Sequence, residues 1–171
     1  ERLATDAAFA VTARDTDAVF GVWRARFGDQ ALHANLRRDD SSQYGGETTG
    51  AVAWGWRFAP QWRVTAGYGT AFKAPTFNDL YYPGFSNPDL VPETSTSVEA
   101  GVYATASGDA VRVEARAIGY RNRVQRLIVF GCDADFNCRP DNVDRATLAG
   151  VTLGLDATFT AGTTLAASLD L

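Results

Sequence analysis

The chain has no methionine, one lysine (Lys73), one histidine (His33) and two cysteines (Cys132 and Cys138) among its 171 residues. Without a Met, Glu1 is not expected to be a translation start. The opening residues also lack the basic-then-apolar pattern of a secretory signal, so the chain reads as an internal piece of a longer protein. A basic excess is missing too: 16 Lys+Arg face 20 Asp+Glu, for a net charge of −4. That excludes the electrostatic footprint of a nucleic-acid binder. No apolar run approaches the ~18 residues of a membrane-spanning helix; 50–56 is among the longest. A helical membrane protein is thereby excluded, but a membrane β-barrel is not, because its short alternating strands barely register in hydropathy. Charged residues make up 21% and apolar residues 46%, which argues against a disordered chain. No G-x-S-x-G elbow accompanies the single histidine, so no nucleophilic triad is expected.

What is present is alternation. In 110–117, Val111, Val113, Ala115 and Ala117 share one face of an extended chain, and Arg112, Glu114 and Arg116 share the other. Trp62, Val64, Ala66, Tyr68 and Phe72 alternate with Arg63, Thr65, Gly67 and Gly69. Val151, Leu153, Leu155, Ala157 and Phe159 alternate with Thr152, Gly154, Asp156 and Thr158. Glycine is frequent and no 3.6-residue period persists, so helices are not expected. Gly67 and Gly69 lie in a strand with no following helix and do not form a phosphate loop. The pattern predicts an all-β antiparallel meander of about nine strands. They cover 3–13, 17–27, 30–39, 47–58, 61–72, 94–105, 110–130, 143–160 and 163–171.

Short turns are expected at 28–29, 59–60, 107–109 and 161–162. Long links are expected at 40–46, 73–93 and 131–142. The two kinds nearly alternate along the chain, which puts short turns at one end of the meander and long loops at the other. Transmembrane barrels have that asymmetry. Trp54, Trp56, Phe58 and Trp62 surround the turn at 59–60, as an interfacial aromatic girdle would. A soluble sandwich is the rival. Mid-strand Arg, Glu and Asp, together with an Ala/Val/Gly-rich apolar face, favour the barrel.

The segment 66–101 is more specific. It carries Ala71-Phe72-Lys73-Ala74-Pro75, then Leu80-Tyr81, then Asn87-Pro88-Asp89-Leu90-Val91-Pro92-Glu93, then Glu99-Ala100-Gly101. This order resembles the barrel signature of TonB-dependent outer-membrane receptors. Tyr120, Asn122, Leu127 and Ile128 resemble one strand of that family. Asn142, Ala146, Gly150 and Val151 resemble the strand that follows a surface loop. Arg38 to Gly45, with Thr48, Thr49, Gly50 and Ala53-Trp54-Gly55, are most similar to the vitamin B12 (cobalamin) receptors within it. The resemblance covers roughly 30–160.

The resemblance implies a transmembrane barrel of about 22 strands in the bacterial outer membrane. Residues 1–171 would then be a single partial barrel segment, without the plug domain and TonB box of the family. It also implies active uptake of a scarce bulky ligand, most specifically cobalamin, with TonB, the ligand and outer-membrane lipid as partners. A ferric-siderophore or haem receptor and a passive porin-like channel are the alternatives. No enzyme activity, no nucleic-acid partner and no resident cofactor are expected.

Four prolines interrupt 75–92, so this region is expected to be a structured loop. Tyr81, Tyr82, Phe85 and Asn87 are its candidate ligand contacts, since loops on a rigid barrel carry recognition. Packing onto neighbouring loops is the other reading. Cys132 and Cys138, by spacing alone, fit either an oxidising compartment or a thiol site. In a loop outside the membrane they are expected to form a disulfide. Asp133, Asp135, Asn137 and Asp141 offer oxygen ligands that could order such a loop around Ca²⁺. Cys138 stands where an EF-hand needs Gly, and Asp144 where it needs Glu, so solvated acids are the alternative and no metal site is assigned.

Overall fold

The computed structural model describes residues 1–134 and 136–171, and of Asp144 the backbone alone. Among the described residues, eight strands form one antiparallel sheet in chain order. They are β1 (Thr16–Phe27), β2 (Gln30–Ser41), β3 (Gly45–Ala59), β4 (Trp62–Lys73), β5 (Glu93–Ser107), β6 (Val111–Cys132), β7 (Cys138–Phe159) and β8 (Thr164–Asp170). A five-residue helix, α1 (Phe77–Tyr81), sits in the β4–β5 link. The first and last strands do not pair with each other, so the sheet is open.

The alternation maps onto two faces. Leu32 stands opposite Ala25 and Trp54, and Trp54 opposite Ala66. The next register row runs through Arg24, His33, Ala53, Gly67 and Glu99. One face is therefore apolar and the other polar. Among the described residues no second layer covers the apolar face: Val19, Leu36, Val52, Val98, Leu155 and Leu169 are all exposed. A water-soluble protein does not leave such a face bare. The described residues form one sheet, not the two of the sandwich alternative.

Two parts of the expected outline change. The strand expected over 3–13 is not formed. The segment folds back on itself through Leu3–Thr12 and Arg14–Glu1 backbone bonds and keeps only the bridge between Arg2 and Ala13. Five of its eleven residues are alanines, which offer little apolar area to hold a register. The links expected at 40–46 and 131–142 are also shorter, because the ladder continues into them. Asp40 pairs with Gly46, and Gly131 to Cys132 pair with Arg139 and Cys138. Only the β4–β5 link stays long.

Strands β6 and β7 run for 22 residues each. A barrel strand crosses a bilayer in about 9–11 residues. The upper halves of β6 and β7 therefore form a two-stranded arm beyond that span, beside the β4–β5 loop. Among the described residues the buried apolar side chains are Phe77, Leu80 and Leu90, with Pro75, Pro92 and Pro140. All but Pro140 belong to that loop, and Pro140 lies in the arm beside it, so the one true core of the described residues lies at the long-loop end.

Candidate functional site at the long-loop end

The loop begins with Pro75, which cannot continue the β4 ladder. Thr76 then caps α1. Its hydroxyl accepts from Asp79 N–H at 3.1 Å, and Asp79 Oδ2 accepts from the Thr76 N–H at 2.8 Å and from its hydroxyl at 2.7 Å. This reciprocal capping box was legible as Thr-x-x-Asp after Pro, although no helix was expected there. The helix turns Phe77 and Leu80 inward, worth about 1.5–3 kcal/mol each on full burial. Gly84, at φ 85°, supplies the left-handed turn that follows.

Arg14 fastens the loop from the side. It donates to the Pro75 carbonyl at 3.0 Å, to Gln43 Oε1 at 3.0 Å and to Glu1 Oε2 at 2.7 Å. Its guanidinium also lies 5.2 Å from the centroid of the Phe77 ring. One side chain thus joins the N-terminal segment, the β2–β3 turn and the β4–β5 loop. Nothing in the linear sequence singled it out, because its partners are scattered.

Three polar side chains weld the loop to the β6–β7 arm. Asn87 is 9% exposed. Its amide donates to the Pro140 carbonyl at 3.1 Å and to Asp141 Oδ1 at 2.8 Å, and its oxygen accepts from Asp89 N–H at 3.1 Å. Asn142 pairs with Val91 as a strand residue would, accepting from its N–H at 3.0 Å and donating to its carbonyl at 3.1 Å. The Asn142 amide also donates to the carbonyl of Arg126, a residue in the left-handed region at φ 55°. Glu93 Oε1 accepts from Lys73 Nζ at 3.0 Å and from Ile128 N–H at 3.1 Å. The asparagines and the glutamate of the signature are therefore the fasteners of this end of the sheet.

Of the expected contact residues, Tyr82 and Phe85 are exposed on the loop and Tyr81 is partly covered. Phe9 packs edge-on against Tyr82, with ring centroids 5.7 Å apart. Asn87 points into the loop–arm junction, where its amide is committed to the protein. Cys132 and Cys138 form a disulfide that closes the tip of the arm. Asp133 accepts from the backbone and side-chain N–H groups of Asn137 at 2.9 and 3.0 Å, and Asp141 pairs with Arg139. Asp135 and the side chain of Asp144 lie outside the described residues. Among the described residues, no three His, Cys, Asp or Glu side chains gather as metal ligands.

The polar face carries a second feature, a recess of about 670 Å³ lined by Arg24, Arg26, His33, Arg63, Glu99 and Tyr103, among others. Arg63 lies 4.2 Å from the Tyr103 ring centroid. Further along the row, Arg116 and Asp156 form an ion pair. At the short-turn end, Trp54, Trp56, Phe58 and Trp62 form a chain of ring contacts at 5.6–6.5 Å.

An open meander with a bare apolar face, a polar opposite face, an aromatic belt at the short turns and a braced loop at the other end is the wall of a membrane barrel. The family model described as TonB dependent receptor-like, beta-barrel, matches residues 2–170, and the chain belongs to that family. Its place is the outer membrane of Gram-negative bacteria. Among curated relatives, the vitamin B12 transporter BtuB of Photobacterium profundum is 33% identical over 87% of this chain and 25% of its own length. The BtuB of Vibrio cholerae is 37% identical over 67% of this chain and 18% of its own. The chain thus spans about a quarter or less of these relatives. Among solved structures, the Serratia marcescens hemophore receptor HasR superposes with a TM-score of 0.78 at 14% identity, covering 92% of this chain and 34% of HasR. The siderophore receptor PirA of Acinetobacter baumannii gives a TM-score of 0.68 at 18% identity, over 86% and 28% of the two chains.

Proposed function

We propose that this chain is a wall segment, with its outer loops, of a larger receptor that captures cobalamin and imports it with energy supplied through TonB. The observation that carries the ligand is the similarity to vitamin B12 transporters across most of this chain. The braced loop–arm unit supports a capturing role, because recognition residues need a rigid mount. Tyr81, Tyr82 and Phe85 are the loop contacts in this reading. Asn87 serves it by holding the loop to the arm. A plug domain outside these residues would close the lumen, and the polar recess on the inner face would meet it. The barrel makes and breaks no covalent bonds, so no enzyme activity or resident cofactor is assigned.

The test uses the full receptor in outer membranes of a strain lacking its own cobalamin receptor. Binding of cyanocobalamin is expected with or without TonB, and uptake only with it. Saturable binding of a ferric siderophore or haem, with none of cyanocobalamin, would move the reading to the second ligand class; the superposition on siderophore and hemophore receptors keeps that class in view. Uptake that persists without TonB and scales with solute size would make the protein a passive channel.

A further inference from the structure

Between the β4–β5 loop and the β6–β7 arm lies a cleft of about 290 Å³, lined by Asn78, Asp79, Tyr82, Phe85, Phe130 and Pro140. Its aromatic walls come from both elements, and all three are left in water: Tyr82 is 43%, Phe85 52% and Phe130 59% exposed. Burying such rings is worth more than burying almost any other side chain, so three around one opening are a ready surface for a flat partner. The gap between the walls is set from behind. The buried Asn87 amide ties the loop to Pro140 and Asp141, and Asn142 ties the arm to Val91. The cleft is thus built before anything enters it, which lowers the ordering cost of binding.

Its charge is one-sided. The lining holds one ionisable carboxylate, Asp79, and no Lys or Arg. Asp79 Oδ2 is occupied by Thr76, while Oδ1 accepts no hydrogen bond among the described residues. An aromatic slot with a free carboxylate oxygen selects a ring that carries positive charge or an N–H at its edge.

The geometry points to this cleft as a binding subsite for a planar aromatic or heteroaromatic group with a cationic or N–H-bearing edge, and to Phe130 as its specificity-determining wall. The inference rests on reading this end as the capture surface of a receptor, and not on which ligand is captured. Phe130 lies outside every motif of the sequence, and only the register of the arm brings it beside Tyr82 and Phe85.

The test uses the full receptor in lipid nanodiscs and three probes followed by saturation-transfer NMR. They are 4-aminoquinoline (planar and protonated), cyclohexylamine (equally charged, without a ring plane) and 2-naphthoate (planar and anionic). 4-Aminoquinoline is expected to bind saturably, and each of the others at least about tenfold more weakly. Phe130→Ala is expected to weaken it at least about fivefold, while Phe130→Tyr retains it. Asp79→Asn keeps an acceptor for the Thr76 cap and is expected to weaken the two cationic probes and not 2-naphthoate. Equal affinity for all three probes overturns the proposal, as does indifference to Phe130→Ala in a protein that still migrates as a folded barrel. Cyanocobalamin binding, measured on the same samples, separates the two readings. Its failure beside intact aminoquinoline binding removes cobalamin and leaves the cleft; the reverse removes the cleft and leaves cobalamin.

Discussion

Glu93 shows how a single residue of the signature works. It is 7% exposed, and one of its oxygens serves both an ammonium on β4 and an N–H on β6. Glu93→Ala leaves the Ile128 N–H without its partner at the loop–arm junction. The expected loss is about 1.5–3 kcal/mol, the range for hydrogen bonds to charged groups. Urea unfolding of the receptor in detergent checks the magnitude, and faster amide exchange at Ile128 checks the place. Gly154 makes the opposite kind of contribution, by being absent. A Cβ there would come within 2.6 Å of the Arg116 guanidinium carbon. Gly154→Val should therefore displace Arg116 from Asp156, at a cost of about 1 kcal/mol for a partly exposed pair. Adding Arg116→Ala should make the valine nearly neutral, and full additivity of the two changes in unfolding free energy would refute the steric account. The polar identity of Arg116 and Asp156 was legible from alternation. The fastening roles of Asn87 and Arg14 were not, because each side chain's meaning lies in partners many residues away: Pro140 for one, Gln43 and Pro75 for the other.

At the scale of elements, strand alternation was legible where one face carried a run of Val, Leu or aromatics. It misled in 3–13, where Leu3, Phe9 and Val11 share a face but five of the eleven residues are alanines. The short helix was missed because five residues show no period, although its capping box was written in Thr76 and Asp79. The arm itself was expected from the long strands over 110–130 and 143–160; only the pairing at its tip was missed, because Gly131 to Asn142 reads as a polar loop. Register with a long partner overrode local composition there. The disulfide at its tip closes a loop of six residues in separation, worth about 2 kcal/mol in the chain-entropy account. Replacing both cysteines, Cys132→Ser with Cys138→Ser, should fray the tip and leave the sheet below Asn142 intact, since Asn87, Asn142 and Glu93 hold it independently. Limited proteolysis is expected to cut the variant within the arm tip while the remainder stays protease-resistant. Cleavage throughout β6 and β7 would mean that the disulfide, and not the polar fasteners, carries the arm.

The whole molecule has a direction built into it. Apolar side chains cover one face, and aromatic rings gather at the short turns, as they do where barrel strands leave hydrocarbon for headgroups. Trp62 stands beside the turn between β3 and β4, with Trp56 and Phe58 in ring contact along the same edge. Trp23 also faces outward, opposite Ala34, but higher on the sheet. If the apolar face meets lipid and the belt marks its inner boundary, these tryptophans sit at different depths. The receptor is reconstituted with only Trp62 or only Trp23 retained, in lipids brominated near the headgroup or deep in the acyl chain. Shallow bromines should quench Trp62 more than Trp23, and deep bromines should reverse the order. Equal quenching of both would place the sheet flat against the membrane instead of across it. Quenching of neither would mean that the bare face is covered by protein. Either result would break the link between the alternating sequence and the membrane, because that link requires each outward row of the ladder to occupy its own level of the bilayer.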